Sequence, residues 1–489
     1  MKKNVLALSI ATMIGGLGFS GAAMAQAAFD VNESGTGAIQ IVPYFTVQDG
    51  NATALHVVNT DTTNAKAVKI RFRGASNSDD LLDFQVFLSP YDVWTGVVTA
   101  DANGRLQLAT ADNSCTLPAE VRTQGATAQP DRLTMRLWDN VDKVNAQTRE
   151  GYVEILEMAT IRPTGGSAAE TALFKAVKHV NGKAPCTPAA FDFLDSIIDG
   201  GAAAGLTGAT NSLTASWYVL NVAASTTFSG SATALTIQGV DAATPANPVY
   251  APQMAEQKSN LVSADPLFKN GLLVKQDFDV PDLSTPLTGA SNQAAADTQA
   301  AALTDAINRT SVSNQFYQDA GLNAATDWVF SMPTRRYIVA ANYDVAPTAA
   351  AYISWNADAQ TALTASKFKT NSNVSVDTAT GQLCVKADSQ TIYDREEGSV
   401  KNGHVVSPGI AKPLQLCGEV SVATFGAKSP VGAAVAQSFV STDYGSGWAA
   451  VNFGAGVPAL GAAFTAAANS NAAAGMVGNY GITWPHFYK

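Results

Sequence analysis

Charge is scarce in this 489-residue chain: 14% of positions are Asp, Glu, Lys or Arg, against about 25% in an average soluble domain. The 30 basic residues are outnumbered by 40 acidic ones, for a net charge of -10. That balance lacks the clustered positive field of a nucleic-acid footprint and excludes nucleic acid as a partner. Histidine is also rare, with His56, His179, His404 and His486 scattered along the chain. There is no H-E-x-x-H and no C-x-x-C, so zinc sites of the usual spacing are excluded. The C-x-x-C-H of haem attachment is missing, as is the G-x-S-x-G of a serine hydrolase elbow. The one Gly-Lys pair, Gly182-Lys183, is followed by Ala184 and so fails as a P-loop.

Hydrophobic residues, many of them Ala, make up 46% of the chain, with 20 Phe, 13 Tyr and 7 Trp spread along it. Collagen, coiled coil and wholesale disorder are thereby excluded. The length suggests two or three domains. Residues 1–25 read as a secretory signal peptide: Lys2 and Lys3, a short apolar run from Val5 to Phe19, then Ala23-Met24-Ala25. Gly16, Gly18 and Gly21 match G-x-G-x-x-G, but inside a leader the match carries no nucleotide chemistry. The Ala- and Gly-rich stretch at 454–478 is too interrupted for a membrane helix.

Four cysteines fit an oxidising compartment. Their grouping favours bridges Cys115–Cys186 and Cys384–Cys417, with two other pairings compatible. No cofactor is expected, apart from the calcium weighed below.

Short β-type runs with turn signals between them fill residues 39–98, notably Ile39 to Phe45, Leu55 to Asn59 and Asp83 to Leu88. Val68, Ile70 and Phe72 alternate with Lys69, Arg71 and Arg73, which reads as a half-buried strand with a basic outer face. Further strands are expected at 133–138, 152–161, 213–222, 235–240, 328–332, 337–341, 383–387, 420–425 and 448–453. Helical periodicity is confined to 168–180 and 189–198, and an Ala-rich segment near 291–307 reads as a surface helix or loop. The expected fold class is mostly β: antiparallel β-sandwich domains with a short helical insertion and Ala-rich helical or loop segments. The chain divides into a β-sandwich-like domain at 26–165, a helical insertion at 166–205, a second β-rich region at 206–345 and a C-terminal β-rich region at 346–489.

Asp101-Ala102-Asn103-Gly104 and Asp112-Asn113 resemble half of a calcium loop, although Asn-Gly is also a favoured hairpin turn. Asp101, Asn103 and Asp112 are thus the metal candidates. Asp394-Arg395-Glu396-Glu397 is a charged run that reads first as a solvated turn. The tryptophans are candidate sugar-stacking platforms, with burial in a core as the default.

The phrase Tyr91-Asp92-Val93-Trp94-Thr95-Gly96, with stretches at 55–60, 67–72, 83–90, 326–337 and 393–397, resembles a loosely defined group of exported Gram-negative cell-surface proteins. The resemblance implies a surface-layer-like role with no catalytic residues to carry over. The expectation is therefore a secreted, non-catalytic structural cell-surface protein that self-associates, anchored to the outer membrane or to a surface polysaccharide. The rivals are an outer-membrane β-barrel and a secreted protein that binds or hydrolyses polysaccharide.

Overall fold

Alternating β-branched and aromatic residues, cut every few residues by Gly, Asn, Asp and Pro, produce short strands that pair with their neighbours. The computed structural model describes residues 29–128, 141–253, 261–264, 268–269, 272–273, 280–289, 293–337, 339–341, 352–356, 361–363, 374–377, 382–401, 414–440, 442–469 and 478–489. The leader at 1–25 and the strand expected at 133–138 lie outside them. With 46% strand and 13% helix, the chain is mostly β and sandwich-like.

A seven-stranded antiparallel sheet runs in the order Phe29–Val31, Thr233–Ile237, Ile39–Thr46, Glu150–Ile161, Ala65–Gly74, Asp80–Leu88, Cys115–Leu117. It packs on a six-stranded sheet ordered Thr226–Ser231, Leu213–Asn221, Ala52–Asn59, Val93–Ala100, Leu106–Ala109, Ala126–Thr127. Val68, Ile70, Phe72, Phe84 and Val153 meet Leu55, Val57, Trp94 and Trp217 between them, all buried.

Two five-stranded sheets form a second sandwich. One is ordered Ser399–Lys401, Ser389–Tyr393, Ser446–Val457, Arg309–Tyr317, Phe487–Tyr488; the other Gln437–Val440, Val420–Phe425, Ala325–Ser331, Ala462–Ala468, Asn479–Pro485. Phe316 stacks on Phe425 across this core at 4.7 Å. Strand pairing crosses the boundaries drawn on the sequence at 206 and 346, since residues 213–237 complete the first sandwich and 309–331 build the second. The cores are continuous as well: Phe464 of the second sandwich packs against Tyr44, Trp217 and Phe228 of the first.

Three expectations need correction. Lys69, Arg71 and Arg73 do not face water. They lie on the outer side of the seven-stranded sheet, but residues around Tyr250, Gln253 and Pro281 cover it and bury all three. Lys69 pairs with Asp83, Arg71 with Asp80 (3.3 Å) and Glu154 (3.6 Å), and Arg73 with Glu154 (3.2 Å). Lys66, also buried, meets Glu157 at 2.9 Å and Asp61 at 3.1 Å. Cross-strand register sets this ladder, with Arg71 opposite both Asp83 and Glu154. Alternation reveals a polar face but not what lies on it.

The Ala-rich segment is a 14-residue helix, Gln293–Ala306, that is not merely superficial. Ala296, Ala300, Leu303 and Ile307 are buried in the main core at near-helical spacing, small side chains allowing close approach. The expected helix at 189–198 is instead two 3-10 turns, Pro188–Ala190 and Asp192–Ser196. Pro188 opens the first, at a position where its missing N–H costs no hydrogen bond. The helix Ala168–Val177 matches expectation, capped by Ser167, which accepts from the Glu170 amide at 3.0 Å.

Candidate functional site

The sequence-nominated calcium residues are turn formers. In the hairpin between Val93–Ala100 and Leu106–Ala109, Asp101 Oδ1 accepts the amides of Asn103 and Arg105, both at 2.8 Å. Its Oδ2 accepts Arg105 Nε at 3.0 Å, and Gly104 closes the turn with φ 72°. Desolvation pushes the Asp101 carboxyl up, but the hydrogen bonds from Arg105 and Asn103 outweigh it and hold the carboxyl below its ordinary range. Asp112 Oδ1 accepts Ser114 N at 2.8 Å and Ser114 Oγ at 2.6 Å, and its Oδ2 accepts Thr95 N at 3.2 Å. Among the described residues no three His, Cys, Asp or Glu side chains converge as metal ligands. Asp394 likewise accepts the amides of Glu396 and Gly398 at 2.9 and 2.7 Å, making the charged run a hairpin turn.

Ser89, His179 and Asp92 converge although the sequence separates them. Ser89 Oγ lies 3.1 Å and Asp92 Oδ2 3.2 Å from the same nitrogen, His179 Nδ1. A serine relay needs base and orienting carboxylate on opposite ring nitrogens; here one nitrogen faces both, and Ser89 Oγ also donates to Asp92 Oδ2 at 3.2 Å. Burial, aided by the charge of Asp112, raises the Asp92 carboxyl above its usual range. This arrangement ties loops together.

Between the sandwiches a cleft of about 540 Å³ is lined by residues of both, including Asp49, Asn51, Asn221, Asp319 and Lys428. Beside it, two buried carboxylates hold the segment 429–436. Glu150 accepts the amides of Ala434 and Val435 at 2.7 and 2.9 Å, together with Gln48 Nε2 at 2.9 Å. Asp327 accepts Thr424 Oγ1 at 2.6 Å, Ser429 Oγ at 2.5 Å and Val431 N at 3.0 Å. Burial, opposed by those donors, moves Asp327 up to about 7 and raises Glu150 as well. The sequence gives little sign of either; the only clue is acid in otherwise apolar strands.

A raised carboxyl keeps its proton in the folded state at pH values where the unfolded chain has lost it. The stability that follows is complete below about 3.8 and is lost as pH rises through about 7. Asp327→Asn mimics the protonated form. Its unfolding free energy relative to the parent should therefore climb between pH 5 and 8.5, a swing of about 3 kcal/mol read by denaturant unfolding. A difference independent of pH would refute the assignment.

The remaining feature is aromatic. Trp94, Trp217 and Trp328 are buried, as the default holds, but Trp448 and Trp484 are not. Trp448 is 45% exposed and stacks on Tyr393, with centroids 4.2 Å apart and planes 10° apart. The strand Asn479–Pro485 turns Tyr480, Ile482 and Trp484 outward, 62%, 48% and 42% exposed. Its other side packs against Thr226–Ser231 so closely that a Cβ on Gly481 would sit 2.4 Å from Thr227 O. No protein-family model, curated protein or solved structure matches the chain. Two disulfides, Cys115–Cys186 and Cys384–Cys417, fit an extracellular or periplasmic environment. Among the described residues no helix is long and apolar enough to cross a membrane.

Proposed function

We propose that this chain is an exported, non-catalytic structural protein of the cell surface that self-associates. The observation that carries the reading is the strand Asn479–Pro485. It is an edge of its sheet, bears no charge, and exposes Tyr480, Ile482 and Trp484 at alternate positions. Edge strands of monomeric proteins are usually guarded by charge, bulges or a covering segment. Thr226–Ser231 covers only the side that carries Gly481 and Thr483, and the apolar row left open on the other side suits a second copy of the same chain.

The low overall charge and the disulfides support the same reading. Against the barrel alternative, the apolar faces of the four large sheets are turned toward one another rather than outward to lipid. The exported protein should sediment as large oligomers or sheets, with calcium as a variable. Ile482→Lys should shift it to monomer while leaving its unfolding free energy within about 0.5 kcal/mol of the parent. A monodisperse parent monomer under all ionic conditions would overturn the proposal.

A further inference from the structure

A second aromatic surface lies on the other sheet of the C-terminal sandwich, and its chemistry differs from that of the Asn479–Pro485 row. Register fixes what it presents. Trp448 is the cross-strand partner of both Tyr393 and Gln315. In the next row Ala450 is opposite Thr391 and Ser313, and Ser313 is opposite Phe487. The third row joins Asn452 to Ser389 and Ser311. Directly paired residues in an antiparallel sheet point the same way. Their inward neighbours Val312, Phe316, Ile392, Ala449 and Val451 fill the core, so these three rows face out.

The outward rows have three properties together. Two flat apolar platforms stand clear of the sheet: Trp448, held by its stack on Tyr393, and Phe487, 70% exposed. They are two strands apart, about 10 Å across the sheet. The residues between and beside them carry hydroxyls and carboxamides, in particular Ser313, Gln315, Thr391 and Asn452. Between Tyr393 and Phe487 the rows carry no formal charge; Lys401, opposite Thr391, and Lys489, beside Ser311, stand at the two margins.

We infer that this face binds a neutral polysaccharide. The pyranose ring presents a patch of weakly positive C–H bonds, which an aromatic face with its negative quadrupole attracts. Its edge presents hydroxyls that both donate and accept, which Ser, Thr, Asn and Gln match in kind. A stack already formed in the free protein costs little ordering on binding. Between the two platforms a charged polymer finds no counter-charge, since both lysines stand at the margins. Rings separated by hydroxyl and amide side chains also form a poor apolar patch for a second protein copy. The inference stands apart from self-association, which uses other residues.

The test uses the full exported protein and measures retention on insoluble cellulose, chitin and starch, with alginate as the charged probe. The parent should be retained on at least one neutral glycan and not on alginate. Trp448→Ala and Phe487→Ala should each weaken binding about five- to tenfold, and the double variant should abolish it. Trp448→Phe should recover part of the loss, and thermal melts should show all variants folded. Ile482→Lys, which tests assembly, should leave retention unchanged. No retention on any neutral probe overturns the inference. So does a shift of oligomeric state in the Trp448 and Phe487 variants with retention intact, which would make this face a contact between copies.

Discussion

Glu154→Ala should lower the stability of the protein by about 3 to 5 kcal/mol, measured by denaturant unfolding. Glu154 Oε1 accepts from Arg73 Nε and from the Tyr152 hydroxyl, both at 3.2 Å, and Oε2 faces Arg71 Nη1 at 3.6 Å. Truncation leaves two buried guanidinium groups short of an anion, with Asp80 the carboxylate still paired to Arg71. The cost is that of uncompensated buried charge rather than of one lost bond. The contrast is Lys428→Ala. Lys428 and Asp49 form an ion pair at 3.0 Å of better geometry than Arg71–Glu154, but both are exposed. Solvent screening limits that pair to about 0 to 1 kcal/mol. If both substitutions cost the same, burial does not rank these pairs and the ladder is not the structural element described.

Removing the Cys115–Cys186 bridge by Cys115→Ala with Cys186→Ala should cost about 4 kcal/mol on the chain-entropy account. The bridge spans a sequence separation of 71, against 33 for Cys384–Cys417. It joins the edge strand Cys115–Leu117 to the chain just after the helix Ala168–Val177. That helix, with Phe191, Leu194 and Ile197, covers Ala67, Phe87 and Ile161 at one end of the seven-stranded sheet. Hydrogen exchange should accordingly rise first at residues 168–206, ahead of the central strands. A loss below 1 kcal/mol, or uniform loosening of the whole chain, would contradict this.

Strands were legible where local chemistry decides them. Val68 to Arg73 alternates with period two because each residue's side is fixed by the pleat. What the alternation could not show is that the basic side is covered, since Gln253 and Pro281, far along the chain, supply the cover. Acid at Glu154 and Glu157, in the strand beside that basic row, was the available sign of a buried ladder. The cysteine pairing was legible from grouping alone. Asp101 and Asp394 were legible as turns because an Asx turn needs only its own neighbours. Trp448 was not separable from Trp94 by sequence, as both sit in strands. Exposure depends on which face has a sheet behind it. The Ala-rich helix misled for a related reason: small residues look incapable of core packing until a partner comes close.

The first described strand, Phe29–Val31, takes its place only beside Thr233–Ile237, and Arg309–Tyr317 pairs with Phe487–Tyr488, about 170 residues later. A polypeptide emerging N-terminus first therefore cannot close its first sheet until most of the first sandwich has emerged. Nor can it close its second until residues 487–488 have emerged. Such non-local pairing makes folding slow and leaves unpaired strands in the open while it proceeds. Each sheet is thus closed by segments far apart in the chain, so neither sandwich can be completed by a fragment that lacks the later segment.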